Sequence, residues 1–167
     1  MKKIQIETAV RSMLADVYTP VGIYLRLRDR FRDTILLESS DHHAAENSYS
    51  FICINAIGGI EIKDGVVETK LPGQNAERTP LGGNEPLQAI LWNYTQRFET
   101  GAQTKQTRFA QGLYGYFTFD AVQFFERIKF RKADDTSNQI PNARYRLYQY
   151  VIAINHYRDE LLLLENK

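Results

Sequence analysis

Ile60-Glu61-Ile62-Lys63, Asp64-Gly65 and Val66-Val67 constrain this chain more than any other stretch. Apolar and polar residues alternate up to an Asp-Gly pair, which supplies the two positive-φ positions of a tight hairpin turn. A β-hairpin is therefore predicted at mid-chain, and its surroundings point the same way. Tyr49 to Ala56 is rich in aromatic and β-branched residues and predicts a strand, which Gly58-Gly59 is expected to break. Thr34-Ile35-Leu36-Leu37 is too short for a helix and reads as a strand buried on both faces. Arg144 to Asn155 and Glu160 to Leu164 read as two more, joined by a turn at His156-Tyr157-Arg158-Asp159. Lys2 to Glu7 alternates weakly in the same sense. Gln111 to Thr118 sets two glycines among aromatics, as a strand does when another element approaches its backbone.

Helices fall between these strands. Thr19 caps and Pro20 opens the first, with Val21, Tyr24 and Leu25 on one face and an end near Arg30. Asn84 caps and Pro86 opens the second. Its stripe of Leu87, Ile90, Leu91, Tyr94 and Phe98 predicts a helix ending near Gly101. Asp120 is expected to cap a short helix through Phe125-Glu126. Leu71 to Pro86 and Lys129 to Asn142 read as loops. Strands in hairpin succession with inserted helices predict an α+β fold with a mainly antiparallel sheet.

The length, 167 residues, suits one domain with one core. Lys and Arg total 21 against 20 for Asp and Glu, so charge gives no case for a nucleic-acid or membrane-surface partner. A single cysteine excludes an internal disulfide and any multi-cysteine zinc site, and fits a reducing cytoplasm. The start at Met1-Lys2-Lys3 lacks the apolar run of a signal peptide, and no window is apolar enough to span a membrane.

Candidate chemistry is sparse. His42-His43 lacks a third metal ligand at a telling spacing, and Asp134-Asp135 lies in a polar loop. Cys53, inside an apolar strand, reads as an inert small hydrophobe. No phosphate-cradling glycine loop and no nucleophile elbow is present. Tyr114-Gly115-Tyr116-Phe117-Thr118-Phe119 loosely matches the aromatic octamer of RNA-recognition sheets, but Gln111 stands where that octamer has a basic residue. A core strand is the expected reading. The sharpest break in pattern is Leu36-Leu37-Glu38-Ser39. An apolar strand that delivers Glu and Ser at its end can hold an ammonium and a hydroxyl-bonding ligand. It can equally be a strand that stops, with Ser39 or Asp41 capping a turn.

Several segments, in order, resemble the N-terminal domain of anthranilate synthase component I. They are Ala15-Asp16-Val17-Tyr18-Thr19-Pro20-Val21 with Tyr24-Leu25-Arg26-Leu27, then Leu36-Leu37-Glu38-Ser39, then Tyr49-Ser50-Phe51-Ile52. Lys63-Asp64-Gly65 follows. Gly112-Leu113-Tyr114-Gly115-Tyr116 comes last, with Asp120-Ala121-Val122 and Phe125-Glu126. The resemblance runs from about Ile4 to about Leu164. Asn47-Ser48 and Cys53 stand where the family usually has Gly-Arg and Gly. The first of these segments favours anthranilate synthase over the related aminodeoxychorismate synthase, which remains the alternative beside a free-standing small-ligand or RNA-binding module.

The resemblance implies a cytoplasmic lyase of tryptophan biosynthesis that converts chorismate and ammonia to anthranilate and pyruvate. It implies magnesium in the full-length enzyme, no cofactor in this part, and a glutamine amidotransferase subunit (component II) as partner. The chorismate-binding domain would lie C-terminal to this chain, so residues 1–167 are expected to be a catalytically silent fragment with no catalytic or metal-binding residue. It also implies a feedback site in which L-tryptophan meets Leu37, Glu38, Ser39, Tyr49 and Ser50, with the opposite wall supplied by the C-terminal domain.

Overall fold

The computed structural model describes residues 3–39, 48–82, 86–128 and 140–167. Its strands are β1 (Ile4–Ile6), β2 (Thr8–Leu14), β3 (Ile35–Leu37), β4 (Tyr49–Lys63) and β5 (Val66–Lys70). They continue with β6 (Glu77–Pro80), β7 (Phe98–Thr100), β8 (Tyr114–Phe117), β9 (Ala143–Asn155) and β10 (Glu160–Asn166). The helices are α1 (Pro20–Leu27) and α2 (Leu87–Thr95), with 3₁₀ turns at Thr107–Phe109 and Phe119–Phe124. The fold is α+β with a mainly antiparallel sheet, as the hairpin succession predicts.

Two long strands form the spine. β4 and β9, 15 and 13 residues, pair antiparallel from Tyr49↔Asn155 to Ile62↔Ala143. Strands this long twist and curl, so one neighbour does not follow either of them from end to end. β4 takes β3 beside residues 51–53 and β5 beside residues 59–63. β9 takes β8 beside residues 143–146 and β10 beside residues 150–155. β2 extends the sheet beyond β10 and β6 extends it beyond β5, while β1 and β7 form a separate parallel pair.

The central hairpin forms as its sequence dictates. Asp64 and Gly65 have φ of 50° and 72°, the pair of left-handed residues that a two-residue turn matched to strand twist requires. α1 likewise starts where expected: Thr19 Oγ1 accepts the Gly22 amide proton at 3.0 Å, and Pro20 occupies the first turn. Ile23, Tyr24 and Leu27 then pack on Ile52, Ile54, Ile152 and Ile154 of the sheet. The opposite face buries Cys53, Tyr148, Val151, Ala153, Leu162 and Leu164 beside Tyr49, Phe51, Phe109 and Tyr114. At the far end, Ile60, Ile62 and Val67 pack under Leu87, Ile90 and Leu91 of α2. Each such aliphatic side chain stabilises the fold by about 1.5–3 kcal/mol when fully buried.

Several elements differ from the sequence reading. Gly58-Gly59 does not end β4. The strand continues through a register shift between Ala56 and Gly58, a bulge that bends it. A Cβ on Gly59 would overlap the Tyr145 carbonyl and come within 2.7 Å of Arg146 Cδ, so the glycines mark close approach. Leu71 to Pro86 is not all loop, since β6 pairs with β5 from Val66↔Pro80 to Thr69↔Glu77. All four β6 residues are exposed, which removes the alternation a sequence pattern needs. β2, absent from the sequence reading, is mostly exposed for the same reason and pairs along all seven residues with β10.

α2 stops at Thr95, short of Gly101. Phe98 begins a strand because the Arg97 carbonyl accepts the Ile4 amide proton at 2.8 Å, which commits this segment to β1. Pro86 itself is the N-cap of α2, with no side-chain cap bond, and Asn84 lies outside the described residues. Asp120 sits within the 3₁₀ turn that Thr118 begins. The Leu36-Leu37 strand is not buried on both faces, since Leu37 is 36% exposed. His42-His43 and Asp134-Asp135 lie outside the described residues.

Candidate functional site

The β3–β4 ladder sets the geometry of the Glu38-Ser39 break. Ile35, Leu36 and Leu37 pair with Cys53, Ile52 and Phe51, so β3 runs toward the start of β4 and releases Glu38 and Ser39 at that end. Tyr49 and Ser50 open β4 at the same end, where they pair with Asn155 and Ile154 of β9. Three chain segments thus meet at one corner: residues 37–39, residues 48–50 and the β9–β10 turn.

Alternation along the strands then sorts the side chains. Tyr49, Phe51 and Cys53 face one hydrophobic cluster, while Ile52 and Ile54 face the other, under α1. Leu36 packs with Ile52, so Leu37 falls on the Phe51 side. Glu38 is exposed and Ser39 half-buried. Tyr49 stacks on Phe51 and lies tilted against Phe109, with ring centroids 6.0 and 4.9 Å away. Its hydroxyl accepts a hydrogen bond from Asn155 Nδ2 at 2.9 Å. Ser50 is buried on the other side of the strand, its Oγ hydrogen-bonded to His156 Nε2 at 2.8 Å. The corner brings all five sequence-predicted residues to one edge of the sheet, but it places the Tyr49 ring and the Ser50 hydroxyl on opposite faces.

Asn155 and His156 escape sequence reasoning. Asn155 is 2% exposed, and its Oδ1 accepts the amide protons of Tyr157 and Arg158 at 2.9 and 3.1 Å. The same side chain that closes the β9–β10 turn therefore holds Tyr49. The His156 amide donates to the Ser48 carbonyl at 3.1 Å, which pins the turn to the start of β4. The only local signal was the turn, and nothing in it says which strand it returns to.

Away from the corner, Cys53 and Glu61 have structural surroundings. Burial pushes the Cys53 thiol far above its ordinary value, so it stays protonated and unreactive. Burial also opposes ionisation of Glu61, but Arg144 Nε at 2.9 Å and Arg146 at 2.5 Å outweigh it and hold this carboxyl below its ordinary value. Arg144 lies directly across the ladder from Glu61, so the ions are a cross-strand clamp. Among the described residues no group of three or more His, Cys, Asp or Glu side chains could hold a metal ion. No described helix is long and apolar enough to cross a membrane.

No family model matches the sequence. Curated relatives do match it. Anthranilate synthase component 1 of Mycolicibacterium smegmatis is 27% identical over 162 residues, 97% of this chain and 30% of the relative. The protein of that name from Lactococcus lactis subsp. lactis is 25% identical over 94% of the chain and 32% of its own length. That from Thermus thermophilus is 27% identical over 92% of the chain and 31% of its own length. The chain is similar to part of anthranilate synthase component 1. It spans about 30% of the length of these relatives. The shared name of these relatives marks each as one component of an anthranilate synthase.

Proposed function

We propose that this chain is the N-terminal regulatory and scaffolding domain of an anthranilate synthase component 1. On this reading the whole enzyme is a cytoplasmic lyase that makes anthranilate and pyruvate from chorismate and ammonia. A glutamine amidotransferase, the second component, supplies the ammonia. A C-terminal chorismate-binding domain carries the chemistry together with magnesium, and residues 1–167 alone are catalytically silent. The described residues here do not fit a magnesium site, and no catalytic step is assigned to them. The observation that carries the reading is similarity across 97% of the chain to about 30% of the length of a named component 1.

The regulatory part of the proposal concerns the β3–β4 corner as one wall of an L-tryptophan pocket. The exposed Glu38 carboxylate pairs with the ligand ammonium, and Ser39 hydrogen-bonds a ligand polar group. Leu37 and the half-buried Tyr49 offer apolar area to the indole, while Ser50, its side chain buried against His156, holds the start of β4 in place behind the ligand. Because Tyr49 and Ser50 face opposite sides of β4, the ligand lies across the strand ends and not on one face of the sheet. Each hydrogen bond to a charged group contributes about 1.5–3 kcal/mol. A ligand clamped between two domains shifts their arrangement only by its difference in affinity for the two states, which is how a wall remote from the chemistry regulates it.

Product analysis of the enzyme carrying this domain tests the assignment. With chorismate and ammonia it forms anthranilate, followed by its fluorescence, and tryptophan suppresses the signal. Accumulation of aminodeoxychorismate in its place contradicts the reading.

A further inference from the structure

Where β5, β4 and β9 run side by side, two rows of paired residues cross one face of the sheet. Arg78 of β6, Glu68, Glu61 and Arg144 make the first, and its charges cancel. Arg78 Nε meets Glu68 at 2.7 Å, and Arg144 Nε meets Glu61 at 2.9 Å. Lys70, Gly59 and Arg146 make the next row, which has two cations and no acid. Paired residues point to the same side of a sheet, so both cations flank a position that has no side chain. Arg146 bends over it: its Cδ and Nη1 lie 2.7 and 3.1 Å from where a Cβ on Gly59 would stand. Its Nη2 is spent on Glu61, whereas Nη1 has no partner and, unlike Arg97 Nε, is not sealed from solvent.

Gly59, Lys70 and Arg146 line a cleft of about 210 Å³. Two carboxylates join them: Glu68, already bound to Arg78, and Asp33, two residues before β3. Among the described residues neither the Asp33 carboxylate nor the Lys70 ammonium has an ion pair or a side-chain hydrogen bond. One wall of the cleft thus offers two uncommitted cationic donors, which repel each other until an oxyanion lies between them. Another offers one uncommitted acceptor of negative charge. Ala56 and Gly58 are the remaining lining residues, so the cleft has no apolar wall for an aromatic ring.

We propose that this cleft binds a small aliphatic amino carboxylate, its carboxylate held by Lys70 and Arg146 Nη1 and its ammonium by Asp33. The two cations select an oxyanion, Asp33 favours a ligand that also carries an amine, and the polar lining keeps the ligand small. The cleft shares no residue with the β3–β4 corner, and the proposal stands whether or not the anthranilate synthase reading does.

β-Alanine and 4-aminobutyrate, titrated into the ¹⁵N-labelled chain at fixed low ionic strength, provide the test beside propionate and butyrate, the same skeletons without the amine. The amide signals of Asp33, Ala56, Gly58, Gly59 and Lys70 should move, and at least one amino compound should bind about two- to fivefold more tightly than its parent acid. Propionamide, which has no charge, should move none of them. Lys70→Gln should weaken the carboxylates about two- to fivefold. Asp33→Asn, which suits the left-handed backbone there (φ 54°), should erase the advantage of the amine. Neither amino compound outbinding its parent acid, shifts confined to other residues, or no saturable shift with any compound would each overturn the proposal. The comparison in the parent chain decides it even if a variant does not fold.

Discussion

Ser39→Phe and Glu38→Ala, each introduced into the enzyme carrying this domain, raise the tryptophan concentration needed for half-inhibition by about ten- to a hundredfold. The two substitutions act differently. Glu38→Ala removes a charged hydrogen bond to the ligand ammonium, a loss of about 1.5–3 kcal/mol. Ser39→Phe removes a hydroxyl and puts a ring into the corner between residues 37–39 and the start of β4, where the ligand would lie. Turnover without tryptophan stays within about twofold, because the corner is proposed to hold an effector and not the substrate. Steady-state anthranilate formation with and without tryptophan reads both quantities at once. Lost turnover with retained inhibition would place the effector elsewhere.

Gly115→Ala lowers the stability of the chain by about 3 kcal/mol or more, among the larger effects of a single methyl group. The added Cβ would overlap the Arg144 carbonyl oxygen and lie 2.7 Å from Tyr145 Cα. Both atoms belong to the backbone of β9, so no side-chain rotation relieves the clash. β8 must separate from β9, exposing Tyr114, which packs in the same cluster as Cys53 and Tyr148. Gly112→Ala is the internal control: nothing lies within 4 Å of its added Cβ, and its effect is within about 0.5 kcal/mol. Urea unfolding of the three proteins measures both. A Gly115→Ala variant within about 1 kcal/mol of the parent contradicts the described approach of β8 to β9.

These glycines show what the sequence could and could not reveal. Gly115 among aromatics announced a closely approached strand, and the structure has one. Gly58-Gly59, read by similar logic as a break, is a bend in an unbroken strand, because a glycine pair that stops a strand and one that bulges it look alike. Strands with a buried face were legible in Tyr49–Ala56, Arg144–Asn155 and the Asp64-Gly65 hairpin, where side chains carry the pattern. β2 and β6 were not, because they are held by backbone pairing at the sheet edges and their side chains face water. β7 was read as the tail of a helix, since its strand character comes from β1, far away in sequence.

The candidate site divides along the same line. Glu38 and Ser39 stood out because polar residues follow an apolar run, whereas Tyr49 and Ser50, inside a predicted strand, were singled out only by the resemblance. Their resemblance to one family gave them a common purpose. Asn155 and His156, which hold Tyr49 and Ser50, approach from the other end of the chain, and only the pairing of β4 with β9 brings them there.

The central claim, that residues 37–39 and 49–50 form one wall of a tryptophan pocket, meets its most direct test in a titration of L-tryptophan into the ¹⁵N-labelled chain. With only one wall present, binding should be weak, with a dissociation constant on the order of millimolar. Amide shifts should be confined to Leu37, Glu38, Ser39, Tyr49, Ser50 and the adjoining His156. Micromolar affinity would contradict the two-wall account, and shifts centred elsewhere on the sheet, or none at all, would contradict the site.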